Sequence, residues 1–234
     1  MTEEAFIRAV VDHPGQDAPR LDYDAWLDTH GAPDRAAYLR AEAARPGAVA
    51  VPRGIDPVWI ARVSRPPAGV CCDHLARSAV EGPTSDADID TAAAELSVVF
   101  PGPLRALLLN YRLGHLRNGP FVLPDADGPG LAVDGFVCLS DSELEDGTVS
   151  HELVERTLWL RDEFGLRSGF VYLAETFHDA AFVADCRGRS RGAVRRFDPY
   201  PGPDHPAPAY TRIASSVGAF LARLEPRTWP LADS

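Results

Sequence analysis

The chain contains two short motifs whose residue types could support catalysis or phosphate binding. Residues 151–155 read His-Glu-x-x-Glu, which lacks the second histidine that a zinc-binding His-Glu-x-x-His helix carries one turn later. Residues 188–192 read Gly-Arg-Ser-Arg-Gly, without the strand–loop–helix context of a phosphate-binding loop. We therefore predict that the first motif is the polar face of a helix and that the second connects two strands.

Three residues close together in the sequence could supply soft metal ligands: Cys71, Cys72 and His74. A tetrahedral zinc site needs about four ligands, and the remaining thiols, Cys138 and Cys186, occur in strand-like segments. The sequence therefore favours buried, reduced thiols, and we predict no bound metal.

A third constellation could pair a nucleophile with a base, since His178-Asp179 is followed closely by Asp185 and Cys186. The same residues also fit a simple turn between two strands, which is the interpretation that the sequence favours. We therefore predict no catalytic residue, no cofactor and no enzymatic activity. The less favoured alternative is an enzyme whose catalytic residues are distant in the sequence and come together only in the folded chain.

The charge balance favours a protein partner over nucleic acid. The 234 residues include 34 acidic and 23 basic side chains, giving a net charge of −11, and every basic residue is arginine. Nucleic-acid phosphates require a basic surface, whereas an acidic surface suits a basic protein partner.

Two charged clusters are the candidate partner-binding residues. The acidic cluster can act by electrostatic complementarity or be a solvated turn. The basic cluster can bind an anion or an acidic partner, but a charged hairpin that deters strand pairing is the favoured interpretation. The acidic cluster comprises Asp141, Glu143, Glu145 and Asp146, and the basic cluster comprises Arg187, Arg189 and Arg191.

The hydropathy pattern predicts a cytoplasmic protein that does not enter a membrane. No apolar run approaches the roughly 20 residues that a spanning helix needs, and the first residues are acidic, unlike a signal peptide. Reduced cysteines fit the same compartment.

Residues 1–46 are predicted to form a small helical module. The first helix is expected to be capped by Thr2, the second to run from about 19 to 30, and the third to be capped by Asp34. Glycine and proline pairs separate the three helices.

Residues 47–85 are rich in proline but also contain apolar side chains such as that of Trp59. This composition predicts a linker that packs on one of its neighbours. The larger region that follows, residues 86–226, is predicted to be an α+β domain.

Helices are predicted at both ends of this larger domain. Two amphipathic helices open it, the first capped by Asp86 or Asp88 and the second starting after Pro101. A last helix is capped by Ser215 or Ser216 and is ended by Pro226. Between them the predicted elements are strands at 120–123, 131–139, 170–173, 181–184 and 193–197 and a helix at about 150–164.

Three segments of the helical module resemble a short bacterial repeat-companion module, which occurs near the N-termini of proteins that carry other domains. They are Glu-Ala-Phe at 4–6, Asp-x-Pro-Arg-Leu-x-Tyr-x-x-Trp-Leu at 17–27, and Gly-x-Pro-x-Arg-Ala-x-Tyr-Leu-Arg at 31–40. The resemblance implies a small helical docking or oligomerisation unit.

The order of motifs in residues 86–226 resembles the SUKH superfamily. A helix, Phe-Pro at 100–101, a second helix and Asn-Gly lead into a strand, although 118–120 read Asn-Gly-Pro where the family has Asn-Gly-Gly. A strand–turn–strand at 174–185, a strand ending in Phe-Asp at 197–198 and a terminal Ser-x-x-x-Phe-Leu helix follow the same pattern.

This superfamily includes bacterial toxin-immunity proteins and the yeast cell-wall-synthesis regulator family. The resemblance implies an antiparallel or mixed sheet with helices packed on one face. It also implies a role in binding another protein, most often to neutralise a bacterial toxin. A scaffold or regulatory module whose partner is not a toxin is the alternative.

Overall fold

The computed structural model describes most of the chain. The described residues are 1–76, 84–111, 115–116, 121–125, 128–133, 135–136, 153–176, 180–200 and 207–226. Within them the structure contains eight α-helices and antiparallel sheets of three and four strands, so the predicted α+β class is confirmed. None of the helices in these ranges is both long and apolar enough to cross a membrane.

The three helices expected in the first 46 residues are present. They are α1 (Glu3–Asp12), α2 (Ala18–Thr29) and α3 (Pro33–Ala44). Thr2 occupies the N-cap position of α1, as predicted, but its side chain makes no capping hydrogen bond there. The N-cap of α3 is Ala32 and not Asp34. Asp34 lies in the first turn of α3 instead, where its charge is favourable at the positive end of the helix dipole.

A fourth helix, α4 (Pro57–Val63), lies within the segment predicted as a linker. Asp56 caps it, since the Oδ1 atom of Asp56 accepts a hydrogen bond of 2.9 Å from the backbone N–H of Val58. The helix packs against α1 on one side and against α6 (Gly102–Asn110) on the other. The predicted linker therefore contacts elements on both sides of it, and the predicted domain boundaries stay a prediction.

Helix α5 (Asp86–Glu95) precedes α6, and Pro101 is the N-cap of α6 as the sequence indicates. The cap of α5 is Ser85 and neither of the two predicted aspartates. The Ser85 hydroxyl accepts from the backbone N–H of Asp88 at 3.2 Å, and the carboxylate of Asp88 accepts from the backbone N–H of Ser85 at 3.0 Å. Asp88 thus completes a reciprocal capping box.

Two consecutive strands and one strand from near the end of the chain form a small antiparallel sheet. They are β3 (Phe121–Asp125), β4 (Gly128–Val133) and β9 (Glu225–Pro226), in the order β4-β3-β9. A further antiparallel pair joins β1 (Leu75–Ala76) to β2 (His115–Leu116). Residues 137–139 of the strand predicted at 131–139 lie outside the described residues.

The larger sheet is antiparallel with strands in chain order. Its strands are β5 (Phe170–Glu175), β6 (Ala181–Asp185), β7 (Val194–Asp198) and β8 (Ala209–Ala214). The predictions for β5, β6 and β7 are confirmed, and a short 3₁₀ turn at Gly188–Ser190 connects β6 to β7. The edge strand β8 was not predicted.

Two helices pack on this sheet, α7 (Leu153–Phe164) on β5 and α8 (Val217–Leu221) on β8. The Ser216 hydroxyl caps α8 by accepting from the backbone N–H of Ala219 at 3.0 Å, as expected. A Cβ atom at Gly218 would lie only 2.5 Å from the carbonyl oxygens of Pro67 and Gly69. The predicted linker therefore also touches α8, and buried side chains from all these parts join in one core.

Candidate functional site

Helix α7 is fixed on the sheet through one face. Leu153, Thr157 and Leu160 are buried on that face, at the spacing expected for one side of a helix. The Thr157 hydroxyl also accepts a hydrogen bond of 3.1 Å from the backbone N–H of Tyr172 in β5. This contact sets the rotation of α7 and so decides which residues it presents to solvent.

The opposite face of α7 presents aromatic and aliphatic side chains to solvent. Trp159 is 40% exposed, Leu158 is 39% exposed, and Tyr200, from the end of the β7 segment, is 70% exposed. The rings of Trp159 and Phe164 meet edge to face at 4.6 Å, and those of Phe164 and Tyr200 at 5.8 Å. Grouped large apolar side chains on a surface typically mark a binding site.

A guanidinium group holds the indole ring of Trp159 in place. The Cζ atom of Arg156 lies 4.0 Å from the centre of that ring, and its Nη2 atom donates to Oε1 of Glu175 at 3.0 Å. The cation–π contact and the ion pair together restrict the rotamers of both side chains. The two contacts therefore favour one orientation of the Trp159 ring before any partner arrives.

Acidic side chains surround these aromatic rings. Glu155, Asp162 and Glu163 are all exposed on α7. The remaining basic group of the helix, Arg161, points inward, where it donates to the carbonyl oxygens of Leu96 at 3.3 Å and of Phe170. We call these exposed residues, together with the partly buried Phe164 that contacts two of them, the α7 surface. It comprises Glu155, Leu158, Trp159, Asp162, Glu163, Phe164 and Tyr200.

The predicted acidic cluster, residues 141–146, lies outside the described residues. It precedes α7 directly in the sequence. Its predicted role in partner binding stays a prediction. The motif at 151–155 is described only from Leu153 onward, and there Glu155 lies on the exposed face of α7, as predicted for a polar helix face.

The predicted basic cluster is organised around one buried carboxylate. Asp185 is fully buried and accepts hydrogen bonds from Nε of Arg187 at 3.1 Å, Nε of Arg195 at 3.2 Å and the hydroxyl of Ser190 at 2.8 Å. The guanidinium of Arg187 also lies 3.9 Å from the ring centre of Phe170. Arg187 and Arg195 thus share one buried negative charge, and these contacts hold the β6–β7 connection in place.

The other two arginines of the cluster differ from each other. Arg191 donates from Nη2 to the carbonyl oxygens of Val99 at 3.1 Å and of Phe100 at 3.2 Å, so it ties the hairpin to the segment before α6. Arg189 is exposed and has no hydrogen-bond or ion-pair partner within the described ranges. Two of the three arginines thus have structural contacts, and a role in partner binding stays a prediction.

The cysteine candidates lie in the core. Cys71 and Cys72 are buried, and burial raises the pKa of Cys71 to about 11 and that of Cys72 to about 12. The thiol of Cys71 donates to the carbonyl oxygen of Val10 at 3.3 Å, and the His74 ring meets that of Phe121 edge to face. Both thiols are therefore held in the neutral form.

The predicted absence of a bound metal and of catalysis stays untested. Within the described ranges, no group of three or more histidine, cysteine or acidic side chains is placed to hold a metal ion. Cys138, His178 and Asp179 lie outside those ranges, so the proposed pairing of a histidine with Cys186 is not described. Burial also raises the pKa of Cys186, to about 12.

The α7 surface was missed by the sequence predictions, although part of its signal was present. The helical spacing of the buried positions 153, 157 and 160 places Trp159 on the solvent side of α7. An exposed tryptophan could therefore have been predicted from the sequence. Tyr200 could not have been placed beside it, because 41 residues separate the two in the sequence. The comparisons with known proteins add no further constraint, since no family model, curated protein or solved structure matches this chain.

Proposed function

We propose that this chain is a non-enzymatic, immunity-type protein that neutralises a bacterial toxin by binding it directly through the α7 surface. The observation that carries the proposal is the aromatic group formed by the exposed rings of Trp159 and Tyr200 and the partly buried ring of Phe164, with Arg156 stacked on Trp159. The SUKH-like order of motifs in residues 86–226 supports it independently.

The residue types on the α7 surface are those that contribute most to protein–protein binding. Tryptophan, tyrosine and arginine dominate the few positions at which truncation strongly weakens a complex. Trp159 is fixed by Arg156 before binding, which lowers the entropy lost when a partner covers it. An aromatic centre with a charged rim is also the usual anatomy of an interface.

The charge of the same region favours a basic partner. Residues 86–226 contain 21 acidic side chains and 13 arginines, and three of the acidic groups lie on α7 itself: Glu155, Asp162 and Glu163. Opposite charges accelerate association and disfavour acidic competitors. They also disfavour a second copy of this chain, whose α7 surface would carry the same negative charges.

The test begins with capture of the partner from the native host by the full chain and its identification by mass spectrometry. The purified partner is then titrated with wild type and with Trp159→Ala. We expect the variant to lose about 30-fold in affinity, since truncating a central aromatic residue costs about 2 kcal/mol or more. In cells that express the partner, wild type should restore growth and the variant should not.

The matched control is Val99→Ala, which removes an exposed apolar side chain outside the α7 surface. It should bind and protect like wild type. Equal affinity of Trp159→Ala and wild type would overturn the assignment of the surface. If the captured partner is not toxic to cells, the immunity function is wrong and the chain is a scaffold or regulatory protein instead.

A further inference from the structure

A groove of about 500 Å³ lies at the meeting point of α1, α3, α4, α5 and α6, away from the α7 surface. Four apolar side chains line it: Ile7, Val58, Trp59 and Leu109. Its volume falls within the range of roughly 300–1,000 Å³ that ligand pockets have. Convergent charged groups at its rim add the polar contacts that such pockets use for specificity.

The charged groups of the groove are arranged with carboxylates outward and guanidiniums inward. Each of three arginines is paired with an acidic side chain, as Arg35 with Glu3, Arg62 with Glu4 and Arg105 with Asp86. The carboxylate side chains are between 41% and 70% exposed, whereas the arginine side chains are between 13% and 27% exposed. A ligand arriving from solvent therefore meets negative charge first.

The internal pairing makes the groove a poor site for an anion. Arg62 donates to both carboxylate oxygens of Glu4, at 2.8 and 3.0 Å, and Arg105 bridges Asp86 and Asp90 at 2.5 and 2.6 Å. An anionic ligand would have to displace these carboxylates and would meet a protein of net charge −11. Both effects oppose its binding.

A cation can bind without breaking any of these pairs. Asp56 uses only Oδ1 to cap α4, and Asp86 uses only Oδ1 to pair with Arg105. The Oδ2 atoms of both residues have no partner among the residues that the structure describes. Each carboxylate can therefore accept an additional hydrogen bond from a positively charged donor.

We propose that this groove binds a short segment of a partner protein in which an arginine or lysine lies next to an apolar residue. The cationic head group contacts Asp56 and Asp86, and its aliphatic stem, with the neighbouring apolar side chain, packs on Val58, Trp59 and Leu109. Long basic side chains commonly divide in this way between an apolar surface and a charged rim. The proposal does not depend on the function assigned to the α7 surface.

The test titrates the ¹⁵N-labelled full chain with acetyl-Leu-Arg-Leu-amide and, in parallel, with acetyl-Leu-Glu-Leu-amide. The reporter is the indole N–H of Trp59, which donates to the Tyr23 hydroxyl at 2.9 Å and so gives a defined resonance. Tryptophan-to-phenylalanine variants at the other three tryptophans assign it. We expect a saturable shift of the Trp59 signal with the arginine peptide and no saturable shift with the glutamate peptide.

Matched variants distinguish binding in the groove from non-specific attraction of a cationic peptide to an acidic protein. Asp56→Asn/Asp86→Asn should weaken binding about two- to tenfold, the loss expected for two exposed charge contacts. Asparagine preserves the α4 cap, and Arg105 retains Asp90, so the fold should be kept, which a thermal unfolding curve checks. Asp162→Asn, on the α7 surface, should bind like wild type.

Four results would overturn the proposal. Three of them are the absence of a saturable Trp59 shift at millimolar peptide, equal shifts with both peptides, and equal affinity of the groove variant and wild type. A shift confined to Trp159 would also overturn it, since the peptide would then occupy the α7 surface. The first three results do not bear on partner binding by Trp159→Ala, so the two proposals can fail separately.

Discussion

The guanidinium of Arg20 donates a hydrogen bond from Nη2 to the sulfur of Cys71 at 3.3 Å, although 51 residues separate them. The side chain of Arg20 is fully buried, and its other nitrogens donate to the carbonyl oxygens of Val63 at 3.2 Å and of Pro14 and Gln16. One side chain thus connects α2, the α1–α2 turn, the end of α4 and Cys71.

Replacing Arg20 should therefore strongly destabilise the protein. In Arg20→Met the apolar volume is largely kept, but the carbonyl oxygens of Val63 and Pro14 lose a buried donor. Since each unsatisfied buried polar group costs about 1–3 kcal/mol, we expect a loss of about 3 kcal/mol in the free energy of unfolding. Urea unfolding followed by circular dichroism measures it.

The control for this prediction is Arg8→Met, because Arg8 is a half-exposed arginine whose contact with Glu4 is a 3.7 Å surface pair. Its loss should change the free energy of unfolding by about 0.5 kcal/mol or less. If both variants are equally stable, the hydrogen bonds of Arg20 contribute no more than a surface contact.

Asp185 should make the stability of the protein sensitive to acid. Burial alone would raise the pKa of Asp185. The hydrogen bonds from Arg187 and Ser190 and the charge of Arg187 outweigh that effect, so the pKa lies below its ordinary value of 3.8. Because the folded-state pKa is the lower one, the contribution of Asp185 to stability is fully present well above pH 3.8. It is lost as the pH falls through the folded-state pKa.

Asp185→Asn tests this directly. At pH 7 the variant should be less stable by about 1–3 kcal/mol, because the arginines lose a buried charged acceptor. The difference between wild type and variant should shrink as the pH is lowered below about 4. Urea midpoints at pH 7, 4 and 3 measure it, with Asp162→Asn as an exposed control. A difference that is constant over this range would mean that Asp185 titrates alike in both states.

The acidic cluster at 141–146 carries a prediction from the sequence alone. Replacing its four carboxylates by amides should slow association with a basic partner and weaken the dependence of that rate on salt, because long-range attraction steers the encounter. Association rates at two salt concentrations measure this effect. Equal rates for wild type and variant at low salt would mean that the cluster is a solvated turn. The residues are Asp141, Glu143, Glu145 and Asp146.

The elements that the sequence predicts correctly are those with a strong local pattern. The apolar stripe of α6 and the apolar runs of β5, β6 and β7 can be recognised from neighbouring residues alone. Helix α4 was missed because seven residues are too few for a helix that is stable by itself. It exists because Trp59 is buried against the rings of Tyr23 and Tyr38, which are contacts that only the fold creates.

The strands β8 and β9 were missed for a related reason. Strand β8 lies at the sheet edge after a proline-rich segment, and its pairing with β7 supplies the stabilisation that its own sequence lacks. Pro226 was expected only to end the last helix, but it lies opposite Phe121 in β9. The proposed groove is equally invisible to sequence patterns, since Glu3 and Asp86 are brought together only by tertiary packing.

The last prediction concerns whether the helical module and the larger domain unfold together. Asn110, at the end of α6, is buried and exchanges two hydrogen bonds with Arg62 of α4, accepting from Nε at 3.0 Å and donating to the carbonyl oxygen at 2.9 Å. Asn110→Ala removes both and should cost about 1–3 kcal/mol. Because α4 also packs on α1, we expect amide hydrogen exchange to accelerate in α1 and α4 as well as in α6.

Thr91→Ala, which removes an exposed hydroxyl contact within α5, should leave exchange in all three helices unchanged. Faster exchange in α6 alone would instead show that residues 86–226 unfold as a separate unit, with the boundary that the sequence predicts.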